Sequence, residues 1–248
     1  MFKVRATVID VLGDESKYPC HFNYKLGDEI IWTGAEYKGR ICPAILGMLG
    51  QKVQNLYTAG PRYIEPGYYH PFWYAPVSTY DPSLKKYDGI GFKPVLKTIE
   101  DDKYGMSKLR PPNSFKWPPH PERTVSKGVS LTCPDLRTAV LFKLEAFDLA
   151  DDGDSVTYFR RDMCILDRVL PKSEIAVEDI INEFTKEEIE DIYPALSQML
   201  INCLVEDLEL MGYLTIEDGK ATVTQKGKTK LENFKATLTA EEREALNI

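Results

Sequence analysis

Residues 194–224, PALSQMLINCLVEDLELMGYLTIEDGKATVT, decide the fold of the C-terminal part of the chain. Apolar side chains return every three or four positions, which predicts one long helix from Pro194 to Met211. Gly212 is suited to end this helix. The turn residues Glu217-Asp218-Gly219 separate two short alternating runs, which predicts a β-hairpin. The apolar stripe of the helix is Leu196, Leu200, Leu204, Leu208 and Met211.

Three more helices are predicted on either side of this unit. Apolar residues recur at helical spacing between residues 159 and 170. Ser173 is suited to cap a second helix that reaches residue 184, and Thr185 with Glu188 forms a capping-box pattern. Gly227 leads into a last helix near residues 228–238.

This order of helices followed by a hairpin resembles a winged helix. The stretch LVEDLELMGYL (204–214) is similar to the end of a winged-helix third helix entering its wing. The stretch TQKGK (224–228) resembles the step that often follows the wing. The resemblance covers roughly residues 157–238 and implies a winged-helix domain, a fold that serves either DNA binding or protein docking.

Charge argues against DNA as the partner of this domain. The long helix holds no Lys or Arg and carries Glu206, Asp207 and Glu209, whereas a helix in the major groove needs basic or amide side chains. Gln198 and Asn202 are the amides it offers. Residues 151–248 hold 22 acids and 11 bases, and Lys220, Lys226, Lys228 and Lys230 gather near the wing. The predicted partner is therefore another protein or a second copy of the chain.

The two parts of the chain differ in charge, which predicts two domains, 1–150 and 151–248. Residues 1–150 carry a net charge of +4 and residues 151–248 a net charge of −11. An aspartate-rich stretch, residues 148–155, marks the boundary. Strand patterns at residues 2–11, 29–33, 125–131 and 139–147, with one helix opening at Pro43, predict a mostly-β N-terminal domain. The predicted class is α+β.

Residues 57–122 form a Pro- and aromatic-rich insertion in the N-terminal domain. They hold 11 of the 16 prolines and 13 aromatic residues. Proline at this density breaks helices and interior strands, while aromatic rings favour burial. The insertion either packs on its own domain or forms an arm that contacts a partner or lines a pocket.

The rest of the N-terminal part resembles a family of small, uncharacterised prokaryotic domains that contain cysteines. Four pieces carry the likeness: KVRATVIDV (3–11), PCHFNYKLGDEI (19–30), ICPAILGMLGQKVQNLY (41–57) and LTCPDLRTAVLFKLEAF (131–147). The resemblance covers roughly residues 1–57 and 129–148. The resemblance implies which cysteines belong to a site, but it implies no reaction.

Those positions are Cys20, Cys42 and Cys133, each of which stands next to a proline. Three cysteines with one histidine would complete a tetrahedral zinc site, and three cysteines with an open position would suit an iron–sulfur cluster. The possible fourth ligands are His21, His70 and His120. The alternatives are no cofactor, with the cysteines as small core residues, or a reactive thiol at Cys42, because the start of a helix favours a thiolate. Cys164 and Cys203 are predicted to be core residues.

Three hypotheses for function follow, all for a protein of the reducing cytoplasm. The low, odd cysteine count and the lack of an export signal favour that compartment, and no apolar run spans a bilayer. The first is an accessory or regulatory protein with a metal or redox site and a docking domain. The second is a metal- or redox-responsive winged-helix transcription regulator. The third is an enzyme with a pocket between the cysteine loops and the aromatic segment, and it ranks third because no motif fixes a reaction.

Overall fold

The computed structural model describes residues 1–12, 19–63, 66–68, 125–127, 129–134 and 139–248. The strands are β1 (Phe2–Leu12), β2 (Glu29–Trp32), β3 (Tyr37–Lys38), β4 (Pro66–Tyr68), β5 (Val125–Lys127), β6 (Val129–Thr132), β7 (Ala139–Leu149), β8 (Ile175–Ala176), β9 (Leu214–Glu217) and β10 (Lys220–Val223). The α-helices are α1 (Pro43–Ala59), α2 (Val156–Val169), α3 (Lys186–Glu190), α4 (Gln198–Leu210), α5 (Gln225–Thr237) and α6 (Ala240–Leu246). Short 3-10 helices occupy Gly60–Arg62, Gly153–Ser155 and Val177–Glu183.

An antiparallel five-stranded sheet, in the order β3-β2-β1-β7-β6, forms the N-terminal part. Strand β1 alternates strictly, with Val4, Ala6 and Val8 buried and the residues between them partly exposed. On the open face Arg5 donates to Glu145 across the β1–β7 pair, at 2.6 Å from its Nη2. One buried and one solvated face is the pattern expected of an antiparallel sheet.

Helix α1 covers the buried face of this sheet. Pro43 stands at its first turn, where a missing N–H costs nothing, and Gly60 ends it at a φ of 61°. The inward residues of the helix are Ile45, Leu49, Val53, Leu56 and Tyr57. They meet buried side chains of β1, β6 and β7, which makes the first hydrophobic core.

The C-terminal part has its own core between α2, α4 and a three-stranded sheet of order β8-β10-β9. Side-chain caps fix its helix starts: Thr185 accepts from the Glu188 N–H in a complete capping box, and Ser197 and Thr224 cap α4 and α5. Fully buried members of this core include Met163, Ile165, Leu166, Ile180, Ile201, Leu208 and Ala221.

The two cores meet because the first residues of β1 and the last of β7 pair side by side. Phe2 lies opposite Leu149, and both side chains are fully buried in the C-terminal core. Polar contacts follow the same seam: Lys230 binds Asp148, and Arg62 binds Glu206 and Asp207. Thr33 also donates to Asp152 at 3.2 Å. The aspartate-rich stretch is therefore built into the seam between the two parts.

The α+β class is confirmed, since helices and antiparallel sheets occur together. Two local predictions were wrong, and one helix was missed. The predicted helix of residues 173–184 is the strand β8 followed by a 3-10 helix. Helix α4 begins after Ser197 and not at Pro194, and α6 was not predicted. Most of the insertion, residues 57–122, lies outside the described residues.

Candidate functional site

Tyr24 fixes the start of α1, where Cys42 lies. The Tyr24 hydroxyl donates to the Arg40 carbonyl and accepts from the Cys42 N–H, each at 2.9 Å. Its ring packs edge-on against the fully buried Phe142 of β7, with 5.3 Å between centroids. Burial raises the pKa of Tyr24, so it remains a neutral hydroxyl that can serve as donor and acceptor at once.

Cys42 contacts the imidazole of His21. Its Sγ lies 3.5 Å from His21 Nε2, within hydrogen-bond reach for sulfur. Cys42 is 2% exposed, whereas His21 lies at the surface. The side chain of Cys42 occupies the N-cap position of α1 without bonding to the helix. The imidazole is therefore placed to exchange a proton with a buried thiol at a helix start.

Cys20 and Cys133 are buried in the same core as Cys42. The Cys20 carbonyl accepts from Asn23 in the turn that carries His21, and the Cys133 N–H donates to Val140, both at 2.8 Å. Within the part of the chain that the structure describes, no group of three or more His, Cys, Asp or Glu side chains suits a metal ion. His70 and His120 lie outside the described residues. The zinc and iron–sulfur sites therefore stay predictions, and Cys42–His21 is a close pair among the predicted ligands that the structure describes.

The other two cysteines, Cys164 and Cys203, differ in burial. Cys164 is buried on α2 as predicted, and burial raises its pKa to about 11. Cys203 is exposed on α4, so the prediction of a core position was wrong. Position 203 falls outside the inward stripe of α4, which is the signal that marks it as a surface residue.

The exposed face of α4 carries a row of four side chains at spacings of four, three and four residues: Met199, Cys203, Glu206 and Leu210. Met199 is 78% exposed and Leu210 37% exposed. Tyr193, in the turn before the helix, is 73% exposed. We call the row of four the α4 stripe. It is a largely apolar surface without a basic residue.

Several charged side chains near this helix already have partners inside the molecule. Arg62 donates to Glu206 and to Asp207, each at 2.7 Å, and the hydrogen bond from Arg62 lowers the pKa of Glu206. On the wing side, Lys226 donates to the Met211 carbonyl and Lys230 to Asp148, while Lys220 binds Glu174. These partners were not predicted, because the residues of each pair are at least 15 positions apart along the chain.

Two of the cavities among the described residues lie in the C-terminal part. One, of about 370 Å³, is open and lined by Tyr213, Gln225, Lys226, Thr229, Lys230 and Asn233. The other, of about 210 Å³, lies beside the Arg160–Glu242 ion pair. The lysines of the first already donate to protein oxygens, and neither cavity is lined by a cysteine. The enzyme hypothesis placed its pocket between the cysteine loops and the aromatic segment, and most of that segment lies outside the described residues.

Comparison of the chain with protein-family models, curated proteins and solved structures finds no match in any of the three. The two resemblances in the sequence therefore stay predictions. None of the described helices is long and apolar enough to cross a membrane.

Proposed function

We propose that this protein is an accessory or regulatory protein whose C-terminal part, residues 151–248, is a winged-helix domain that docks on another protein chain. The single observation that carries the proposal is the α4 stripe, an exposed helix face with Met199 and Leu210 at its ends and no Lys or Arg. Helices that present such a face bind in apolar grooves or against other helices.

The element order supports the winged-helix assignment. Helix α2 is followed by β8, a 3-10 helix, α3 and α4, and then by the hairpin β9–β10. Strand β10 lies between β8 and β9, so the hairpin is joined to the helical part by a third strand. In this arrangement α4 takes the place of the third helix, the one that winged helices most often present to a partner.

Charge favours a protein over DNA. The two acids of α4 that face the N-terminal part are paired with Arg62, and three of the four wing-side lysines contact oxygens of the protein itself. A DNA duplex would approach a domain of net charge −11. Few cationic side chains of that domain would displace the counterions of the DNA phosphates. A gel shift at about 50 mM salt, where phosphate attraction is strong, tests the regulator hypothesis directly. A specific gel shift at this salt concentration would favour the DNA-binding hypothesis over protein docking.

Affinity capture from an extract of the producing cells tests protein docking. We expect the immobilised wild-type chain to retain a defined protein that Met199→Glu fails to retain. Leu26→Glu is the matched control, because Leu26 is 66% exposed and lies in the N-terminal part. Both changes place a charge on an exposed apolar residue. Equal retention by the two variants would count against docking through α4.

A second candidate function is a thiol or metal site in the N-terminal part, and the Cys42–His21 contact favours it. These two side chains offer one sulfur and one nitrogen ligand. Zinc or an iron–sulfur cluster would need further donors, from Cys20, Cys133 or the histidines outside the described residues. Anaerobic purification followed by elemental analysis tests the site. A metal that is lost in Cys42→Ala and kept in Cys164→Ala would support a metal site. Metal-free wild-type protein would count against the metal and leave a reactive thiol as the candidate.

A further inference from the structure

We infer that the cavity of about 210 Å³ in the C-terminal part binds a small zwitterion with an apolar side chain, of the class of the aliphatic α-amino acids. The inference does not involve the α4 stripe and goes beyond the proposed function. The cavity lies between the first turns of α2, the end of α5 and the start of α6. Its lining residues are Asp151, Val156, Phe159, Arg160, Phe234, Thr237, Leu238 and Glu242.

Much of the cavity wall is apolar. The rings of Phe159 on α2 and Phe234 on α5 meet edge to face, with 5.4 Å between their centroids. Val156 and Leu238 extend this apolar wall, and both are only partly buried, as is Phe234. Apolar surface that stays open at a cavity favours an apolar group of a ligand, because both surfaces then leave water.

The same cavity is lined by both members of an ion pair. Arg160 Nη2 donates to Glu242 Oε1 at 2.9 Å, and the two side chains are 42% and 38% exposed. In the part of the chain that the structure describes, the other four N–H groups of this guanidinium have no protein acceptor. Glu242 is held in place from the other side, since its Oε2 accepts from the N–H and the hydroxyl of Thr239. Arg160 therefore has donors left for a ligand.

A zwitterion is complementary to this pair. Its carboxylate can accept two of the remaining Arg160 N–H groups, while its ammonium lies against Glu242, so that four charges alternate in sign. Asp151 adds a second carboxylate to the cavity wall, and it is also bound by Lys3 at 2.8 Å. A zwitterion has no net charge, so the net charge of −11 on residues 151–248 does not repel it. A simple anion would meet that repulsion, and a simple cation would meet Arg160.

The volume of the cavity restricts the ligand to a small molecule. About 210 Å³ is the space of about seven water molecules, and it is below the roughly 300–1,000 Å³ of pockets for drug-sized ligands. L-Leucine is a probe of suitable size with all three recognised groups. A ligand this small makes few contacts, so the expected dissociation constant is on the order of 1 mM.

Titration of the isotope-labelled full chain with L-leucine, followed by NMR, tests the site. We expect the backbone amide signals of Phe159, Phe234 and Leu238 to shift and to reach saturation. Three further probes each remove one recognised group. Glycine lacks the apolar side chain, isocaproate lacks the ammonium, and isoamylamine lacks the carboxylate. Each should bind at least about tenfold more weakly than leucine.

One substitution and a matched control test the role of the ion pair. Arg160→Gln should weaken leucine binding at least about tenfold, because it removes the guanidinium. Arg243→Gln should bind leucine like the wild-type chain, since Arg243 lies on α6 beside Glu242, donates to the Lys235 carbonyl and does not line the cavity. Circular dichroism verifies that both variants are folded. The probe series uses the unmodified chain, so it tests the site even where a variant fails to fold.

Three results would overturn the inference. The first is an absence of amide shifts around the cavity at about 20 mM leucine, well above the expected dissociation constant. The second is isocaproate or isoamylamine that binds as tightly as leucine. The third is leucine binding that Arg160→Gln leaves unchanged. None of them bears on docking through the α4 stripe, which has its own test.

Discussion

Lys230 on α5 donates to both carboxylate oxygens of Asp148 at the end of β7, at 3.0 and 2.7 Å. Both side chains are largely buried, with 17% and 20% of their area exposed. The Tyr213 hydroxyl donates to the same carboxylate. Asp148 thus links the sheet of the N-terminal part to two elements of the C-terminal part, and the two cores are joined through it.

Replacement of Asp148 should destabilise the whole chain in a way that depends on pH. Burial alone would raise the pKa of Asp148, but the bonds from Lys230 and Tyr213 outweigh it and lower that pKa. We expect Asp148→Asn to reduce the free energy of unfolding by about 2–3 kcal/mol at pH 7, since it leaves Lys230 without its counterion. Because this pKa is lowered in the folded chain, the charged carboxylate stabilises the fold at pH values above the ordinary aspartate pKa of about 4. That stabilisation is lost as the pH falls through the lowered pKa. Urea unfolding at pH 7 and pH 3 should therefore show a loss that shrinks in acid.

Asp151→Asn is the matched control for this experiment. Asp151 forms an ion pair with Lys3 at 2.8 Å across the same seam, but its side chain is 36% exposed. A pair in that environment contributes about 0–1 kcal/mol. Equal losses in the two variants would show that the burial of the Asp148–Lys230 pair has no special effect.

Asp162 should show the opposite pH dependence. It is fully enclosed on α2, and within the described residues its Oδ1 has no hydrogen-bond partner. Burial raises the pKa of Asp162 well above the ordinary value, so the folded chain keeps a proton there up to a higher pH than the unfolded chain does. Stability then falls as pH rises through the interval between the two pKa values. We expect Asp162→Asn to gain about 1 kcal/mol or more at pH 7 and nothing near pH 3, as measured by urea unfolding.

Two glycines of the α1 region should respond to alanine with opposite signs. Gly60 has a φ of 61°, and a Cβ there would lie 2.4 Å from the ring of the buried Phe2. We expect Gly60→Ala to cost about 2–4 kcal/mol, from the left-handed backbone and the clash together. Gly47 is helical with nothing within 4 Å of an added Cβ, so Gly47→Ala should gain up to about 1 kcal/mol. Thermal unfolding that moved both variants in the same direction would contradict this account.

Helical and strand periodicity predicted the elements that bury one regular face. The stripe from Leu196 to Met211 and the alternation in β7 are of this kind, and both elements occur, although α4 spans only Gln198–Leu210. The strand β8 is two residues long, too short for a pattern, and it forms because β10 supplies its hydrogen bonds. Its neighbourhood was therefore assigned to a helix.

The seam and the site were less predictable, because their partners lie far apart in the sequence. The carboxylate of Asp148 and the amine of Lys230 are 82 residues apart, and a charge-rich stretch looks like solvated surface until the fold brings a cation to it. Cys42 at a helix start was predicted from Pro43, and His21 was one of three candidate histidines. The turn of residues 20–23 carries the imidazole, the Tyr24 hydroxyl holds the Cys42 N–H, and the fold brings the two together.

The Cys42–His21 contact leads to a prediction about thiol reactivity. If His21 accepts the Cys42 proton, the rate of Cys42 alkylation should depend on the imidazole. In a Cys203→Ser background, which removes the exposed thiol, we expect slow modification of Cys42 by iodoacetamide in the native state. Replacing His21 by Gln should lower that rate about tenfold or more, since a positioned base contributes at least this factor.

Peptide mapping by mass spectrometry distinguishes this effect from a general opening of the fold. Cys20 and Cys133 are buried in the same core and report on that opening, because their alkylation should be unchanged by His21→Gln. If His21→Gln leaves the alkylation rate of Cys42 unchanged, the Cys42–His21 contact has only a packing role. Cys42 would then be a core residue like Cys164.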